Sequence, residues 1–96
     1  MESLKRFDVA EVGGVAVVVI ESDLIPPDTA IVVIPLLPDY PAVRYLNPVL
    51  RFEDREFVLA TRLIAAVHRS RLARKGSVGE QGDVVIRAMD VLLGGV

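Results

Sequence analysis

His68 is the only histidine of the chain, so any acid–base chemistry that needs an imidazole depends on it. Arg69 and Arg71 follow closely, and this composition would suit cleavage of RNA, with His68 as the base and an arginine holding the phosphate. If residues 67–72 are extended, however, successive side chains point to opposite faces, and both arginines point away from the histidine. The favoured interpretation of His68 is therefore a surface histidine at the edge of a strand.

A basic stretch lies between Phe57 and Gly79 and contains no acidic residue. Its cations are Arg62, Arg69, Arg71, Arg74 and Lys75. Such a surface could receive RNA or an acidic peptide, and the acidic peptide suits it better because no aromatic platform for bases accompanies the charges. The simpler alternative, which we favour, is a solvated edge strand whose positive charge prevents aggregation.

The remaining polar residues offer little chemistry. Glu53, Asp54 and Glu56 crowd one turn, and the glycine pairs 13–14 and 94–95 lack the strand–glycine–helix context of a phosphate loop. The chain has no cysteine, which excludes disulfides, thiolate zinc sites and thiol catalysis. We therefore predict no catalytic residue, no metal and no cofactor, and a protein that is not an enzyme.

Length and composition indicate one folded domain spanning residues 1–96. Hydrophobic residues make up 52% of the chain, which excludes intrinsic disorder. The apolar run "VAVVVI" (15–20) is far shorter than the roughly 20 residues of a membrane helix, and the first residues lack the apolar segment of a secretory signal. A net charge of −2 gives no general attraction to nucleic acid or anionic membranes. We expect a cytoplasmic protein that binds neither on its own.

The first half of the chain predicts strands. Residues 6–12 and 15–22 flank Gly13-Gly14, which can supply the positive φ angles of a two-residue hairpin turn. The second of these strands is apolar on both faces, so we place it centrally in a sheet. Residues 30–37 predict another buried strand, and the proline-rich segment 38–48 an excursion outside the core.

The second half predicts further strands followed by one helix. Residues 49–61 indicate a hairpin around the charged three-residue turn "EDR". Residues 63–73 indicate an extended segment, and "RKGS" (74–77) indicates the turn that follows it. Short strands at this spacing, without intervening helices, favour an antiparallel sheet or small barrel.

The C-terminal helix follows Gly82. Its apolar positions recur at helical spacing: Val85, Ile86, Met89, Leu92, Leu93 and Val96. Its polar residues, Asp83, Arg87 and Asp90, form one narrow stripe. Asp83 lies in the predicted N-terminal turn, where a negative charge interacts favourably with the helix dipole. A helix packed on one sheet buries only one face, whereas this helix is apolar almost all round. We therefore predict that a second copy of the chain covers the other side, as a homodimer.

The order of these features resembles the CcdB family, the toxins of bacterial toxin–antitoxin pairs. The resemblance rests on "ESDLI" (21–25), "VVIPLL" (32–37), "NPVLRFEDREFVLAT" (47–61) and a terminal helix that ends in glycine and an aliphatic residue. It covers the chain from about Phe7 to Val96. The resemblance implies an SH3-like antiparallel barrel with a C-terminal helix, forming a homodimer.

It also implies a function. A CcdB-like dimer binds the A subunit of DNA gyrase and traps the enzyme with its DNA cut, and a CcdA-like antitoxin with an acidic C-terminal segment neutralises it. The positions that match the gyrase-binding surface are Leu24, Ile25, Asp90, Gly94, Gly95 and Val96.

Two of these positions depart from the family pattern. Gly94 stands where the toxin carries a tryptophan that stacks on an arginine of gyrase, and Asp90 stands where it carries an asparagine. The first alternative is therefore a disarmed homologue that binds its antitoxin but no longer poisons gyrase. The next alternative is an endoribonuclease toxin built on the same barrel.

Overall fold

A computed structural model describes residues 3–94 of the chain. In this part of the chain, seven antiparallel strands form one curled sheet, a half-barrel, and one α-helix follows them. The elements are β1 (Asp8–Val12), β2 (Val15–Val19), β3 (Ala30–Leu37), β4 (Val49–Phe52), β5 (Arg55–Leu59), β6 (Ala65–His68), β7 (Ala73–Ser77) and α1 (Gly82–Leu92). The strand order is β4-β5-β3-β2-β1-β7, with β6 also paired to β3. The predicted fold class, mainly β with one C-terminal helix, is confirmed.

The hairpin of β1 and β2 forms as its sequence predicts. Gly13 and Gly14 have φ angles of +56° and +79°, and Val12 pairs with Val15 across the turn. Strand β2 lies between β1 and β3. Its residues 17–19 are all buried, which confirms its central position.

Pro35 lies within the longest strand, β3, at the point where one edge of that strand changes partner. On this edge β3 pairs with β6 over residues 30–33 and with β5 over residues 36–37. The Pro35 carbonyl accepts the Ala60 N–H on the same edge, at 2.9 Å. The absent N–H of Pro35 therefore faces the break between β5 and β6, where no ladder hydrogen bond is lost.

Two apolar clusters occupy opposite faces of the sheet, because successive side chains of a strand point in opposite directions. Val18 belongs to the cluster under α1, with Ile34, Leu36, Leu59 and Val85 among its buried members. Burial of each such side chain contributes about 2 kcal/mol.

The second cluster lies on the opposite face of the sheet from α1. It consists of Ala10, Val17, Val19, Ile31 and Val33, with Leu4, Val12, Val67 and Leu72 packed against them. Strand β6 pairs with β3 and β7 pairs with β1, so the chain between them crosses over this cluster and covers it.

The prediction of a turn at residues 74–77 was wrong, because these residues belong to β7. Asp8 pairs with Ser77, a contact between residues far apart in the sequence. Gly76 serves a close approach rather than a turn: a Cβ on it would lie 2.8 Å from the Phe52 ring.

Two further local predictions need correction. Residues 63–73 are not continuously extended, because 3-10 helices occupy Thr61–Leu63 and Arg69–Arg71.

The turn of the β4–β5 hairpin has two residues rather than three. Glu53 and Asp54 have φ angles of +52° and +62°, as in a type I′ turn. Arg55, the third residue of the predicted turn, is instead the first residue of β5.

The Gln81 side chain caps the outer edge of β4. Its Oε1 accepts the Arg51 N–H at 2.9 Å, and its Nε2 donates to the Arg51 carbonyl at 2.8 Å. The carboxamide thus occupies both backbone groups of Arg51, in the way a neighbouring strand would.

Helix α1 packs one face on the sheet through Val85 and Ala88, both completely buried. Asp83 lies in its first turn, as predicted, and the polar stripe of Asp83, Arg87 and Asp90 is exposed. Val84 is also exposed, so apolar surface remains on the side of the helix away from the sheet. No helix within residues 3–94 is long and apolar enough to cross a membrane.

The buried Asp8 carboxylate ties the N-terminal segment, β1 and β7 together. Only 4% of Asp8 is exposed, and its oxygens accept the Lys5 N–H at 2.8 Å and the Arg74 Nε and Nη2 at 3.1 and 3.3 Å. We expect Asp8→Ala to lower the free energy of unfolding by about 2 kcal/mol, because it removes charge-assisted hydrogen bonds at a buried site.

Urea denaturation followed by circular dichroism would measure this loss, since the chain contains no tryptophan. Asp39→Ala is the matched control, because that aspartate is exposed. Equal stability of the two variants would contradict the role given to Asp8.

Candidate functional site

Leu24 and Ile25 project from the turn between β2 and β3. Leu24 is 93% exposed and Ile25 is 53% exposed. The turn is held internally by Ser22, whose Oγ accepts the Leu24 N–H and whose carbonyl accepts the Ile25 N–H, both at 3.2 Å. The two apolar side chains are therefore presented by an ordered turn.

Two carboxylates anchor this turn to its surroundings. Asp23 Oδ1 accepts the Arg6 N–H of the N-terminal segment at 2.8 Å, and Glu21 Oε2 accepts the Val32 N–H of β3 at 2.8 Å. Both bonds connect the turn to segments distant in the sequence, so its orientation relative to the sheet is determined on both sides.

The end of α1 carries the second group of predicted site residues. The Asp90 side chain is exposed and forms no ion pair or hydrogen bond with residues 3–94, and Leu93 beyond it is 79% exposed. Gly94 has a φ of +106°, the left-handed conformation that commonly ends helices, and no atom lies within 4 Å of where its Cβ would be. The other two predicted site residues, Gly95 and Val96, lie outside the described residues.

The structure therefore places the predicted residues in two exposed groups. Leu24 and Ile25 share one turn, while Asp90 and Gly94 share the end of the helix. Within residues 3–94, no hydrogen bond, ion pair or aromatic contact joins the two groups. The two groups lie on different parts of the fold, the turn between β2 and β3 and the end of α1.

Tyr45 is a feature that the sequence prediction missed. It lies in the proline-rich segment 38–48 with a φ of +67°, and the guanidinium carbon of Arg87 lies 3.9 Å from its ring centroid. Arg44 approaches the same ring at 4.9 Å. No local sequence pattern indicates this contact, because Tyr45 and Arg87 are far apart along the chain.

A buried polar network holds the segment that carries Tyr45. The Thr61 hydroxyl donates to the Leu46 carbonyl at 2.5 Å, and the Thr61 N–H donates to Asn47 Oδ1 at 3.3 Å. Val43 and Asn47 also pair as an isolated antiparallel bridge. The segment is an excursion from the sheet, as predicted, but an ordered one.

His68 has a local structural role. Its Nδ1 lies 2.8 Å from Ser70 Oγ and accepts the Ser70 N–H at 3.4 Å, which caps the 3-10 helix Arg69–Arg71. The predicted alternation of faces over residues 67–72 was wrong, because this short helix interrupts the extended chain.

The basic stretch is partly used within the protein. Arg69 Nε donates to the Asp28 carbonyl, and Arg74 pairs with Asp8. Both contacts connect distant parts of the chain, so these two arginines have structural roles within the fold, which differ from the predicted solvated edge strand. Among the described residues, no group of three or more histidine, aspartate or glutamate side chains is arranged to hold a metal ion.

The chain was compared with curated proteins and with models of protein families. No curated protein matches the chain. The family model described as CcdB protein matches residues 6–95, which includes both exposed groups and every strand and helix of the fold. The chain therefore belongs to the CcdB protein family.

Proposed function

We propose that this protein is the toxin of a type II toxin–antitoxin pair and that it acts by binding the A subunit of DNA gyrase. Membership of the CcdB family supports the role of toxin, and the match over residues 6–95 is the observation that carries the proposal. The proposed action is binding rather than catalysis. A CcdA-like antitoxin with an acidic C-terminal segment is the proposed neutralising partner, and the cytoplasm is the proposed site of action.

The proposed gyrase-binding surface combines the two exposed groups, Leu24 and Ile25 with Asp90, Gly94, Gly95 and Val96. Leu24 supports it physically, because an almost fully exposed leucine on an anchored turn gains about 2 kcal/mol when a partner covers it. A homodimer is part of the proposal, since α1 leaves Val84 and Leu93 exposed and a two-fold axis would present each group twice.

Gly94 supports a second candidate function, that of a disarmed homologue that keeps the antitoxin and has lost gyrase. A buried tryptophan anchor at an interface commonly contributes about 2 kcal/mol or more. Glycine supplies no side chain at this position, and its φ of +106° disfavours any L-residue there. Gyrase binding, the first candidate function, therefore requires that the other residues of the surface compensate for the missing tryptophan side chain.

The purified protein is expected to make gyrase accumulate cleaved DNA in a supercoiling reaction, and its expression alone is expected to arrest bacterial growth with DNA-damage signalling. Leu24→Ala should weaken binding to the gyrase A subunit by about tenfold, because it removes most of the apolar area that the turn presents. Val49→Ala is the control, since Val49 is an exposed valine on β4. Normal growth together with no cleaved DNA would exclude gyrase poisoning.

Gly94→Trp tests the second candidate. We expect it to strengthen binding to the gyrase A subunit by about tenfold, because the gain from an aromatic anchor exceeds the backbone strain at a positive φ. Gly94→Ala introduces the same backbone strain without the ring and should weaken binding or leave it unchanged. Toxicity that appears only in Gly94→Trp, and disappears with a mutation in the gyrase A subunit, would identify the wild-type protein as disarmed.

Asp23 should act by positioning the Leu24–Ile25 turn. Asp23→Ala removes the acceptor for the Arg6 N–H, so we expect gyrase binding to weaken about fivefold, as the loss of one hydrogen bond of about 1 kcal/mol implies. Asp23→Asn keeps a side-chain oxygen acceptor and should bind nearly as the wild type. Equal weakening in both variants would show that the charge, rather than the hydrogen bond, matters.

A further inference from the structure

Two arginine side chains lie over one aromatic ring next to the polar stripe of α1. The guanidinium carbons of Arg87 and Arg44 are 3.9 and 4.9 Å from the ring centroid of Tyr45. Contact with the ring face stabilises each cation, because the ring quadrupole attracts positive charge. Two like charges are thereby held near each other, an arrangement that a bound anion would stabilise further.

Neither guanidinium group has an anionic partner in the described part of the chain. Asp83 and Asp90 lie four residues before and three residues after Arg87 on the same helix, a spacing that permits ion pairs. The side chains of Arg87 and Arg44 form no ion pair or hydrogen bond with residues 3–94, and the Arg87 guanidinium group lies instead against the ring. The N–H donors of both groups therefore remain free for a ligand.

The surrounding structure imposes this arrangement on Tyr45. A tyrosine with a φ of +67° carries backbone strain and persists only where neighbouring contacts determine its conformation. Here the Thr61 hydrogen bonds to Leu46 and Asn47 hold the adjoining residues. A partner would thus meet cations that are already ordered, which reduces the entropic cost of binding.

The same surface is open and partly apolar. The Tyr45 residue is 42% exposed, and Val43 on the same loop and Val84, one turn before Arg87 on the helix, are exposed as well. Tyrosine and arginine are enriched at protein interfaces, where they often carry much of the binding energy. The exposed residues around Arg87 therefore suit a partner protein whose surface presents a carboxylate next to an apolar side chain.

We propose that Arg87, held against Tyr45 with Arg44 beside it, binds a carboxylate on the A subunit of gyrase and is a specificity-determining contact. This inference rests on the proposed function, because Arg87 belongs to the polar stripe that includes Asp90, a residue of the proposed gyrase-binding surface. A planar guanidinium group can donate two parallel N–H bonds to one carboxylate, which lysine cannot. The Tyr45 ring holds one face of that group, so its edge remains available to the partner.

The test measures, at several salt concentrations, the affinity of the full-length protein for the purified A subunit of gyrase. We expect Arg87→Ala to weaken binding about tenfold or more and to reduce its salt dependence, because one charge-assisted contact is lost. Arg87→Lys should recover little of this affinity, and Tyr45→Phe should bind as the wild type, since it keeps the ring. Arg55→Ala is the matched control: Arg55 also lies over an aromatic ring, that of Phe57, but on β5 rather than α1.

The outcomes separate this inference from the proposed function. If the wild type binds and Arg87→Ala binds with the same affinity and salt dependence, the contact is overturned while gyrase binding stands. Full recovery of affinity in Arg87→Lys would overturn the two-bond carboxylate geometry. If the wild type shows no binding to the A subunit of gyrase, the proposed function and the contact are overturned together.

Discussion

The pairing of β3 along both edges is the constraint on which the rest of the fold depends. One edge is occupied by β2, and the other is divided between β6 and β5 at Pro35. The 3-10 helix Thr61–Leu63 separates β5 from β6 at this point, so the missing N–H of Pro35 costs no ladder hydrogen bond. On one side of this break β5 pairs with β4, and on the other side β6 pairs with β3 and contributes Val67 to the second cluster.

The same break positions the surface features. Thr61, at its start, is completely buried and holds the segment that carries Tyr45, and the 3-10 helix also packs against α1. At the opposite end of β3, Glu21 accepts the N–H of Val32 and fixes the turn that presents Leu24. The turn that presents Leu24 is therefore attached to β3 by a polar side chain, and the segment that carries Tyr45 is attached to Thr61, which follows β5. Strand β3 itself has no exposed residue.

The sequence predicted the elements whose causes are local. The Gly13-Gly14 turn, the doubly apolar β2, β3 and the helix α1 need only neighbouring residues, and the structure confirms them. The predicted helical spacing holds as far as Leu92, whereas Leu93 lies beyond the helix and is exposed. Strand β7 was missed because its glycine accommodates Phe52, a contact across the sheet. The β4–β5 turn was misjudged because Glu53 and Asp54 adopt positive φ angles without glycine. At the candidate site, the resemblance indicated Leu24 and Asp90, whereas the contact of Tyr45 with Arg87 depends on tertiary structure alone.

The carboxamide of Gln81 has a consequence for self-association. A sheet grows when a strand from another molecule binds the free N–H and C=O groups of its outermost strand, and this is how native proteins polymerise into fibres. On β4 those groups of Arg51 are already taken, so an incoming strand would first have to displace two hydrogen bonds. Copies of the chain that meet at high concentration are thus steered away from open-ended stacking through this edge of β4.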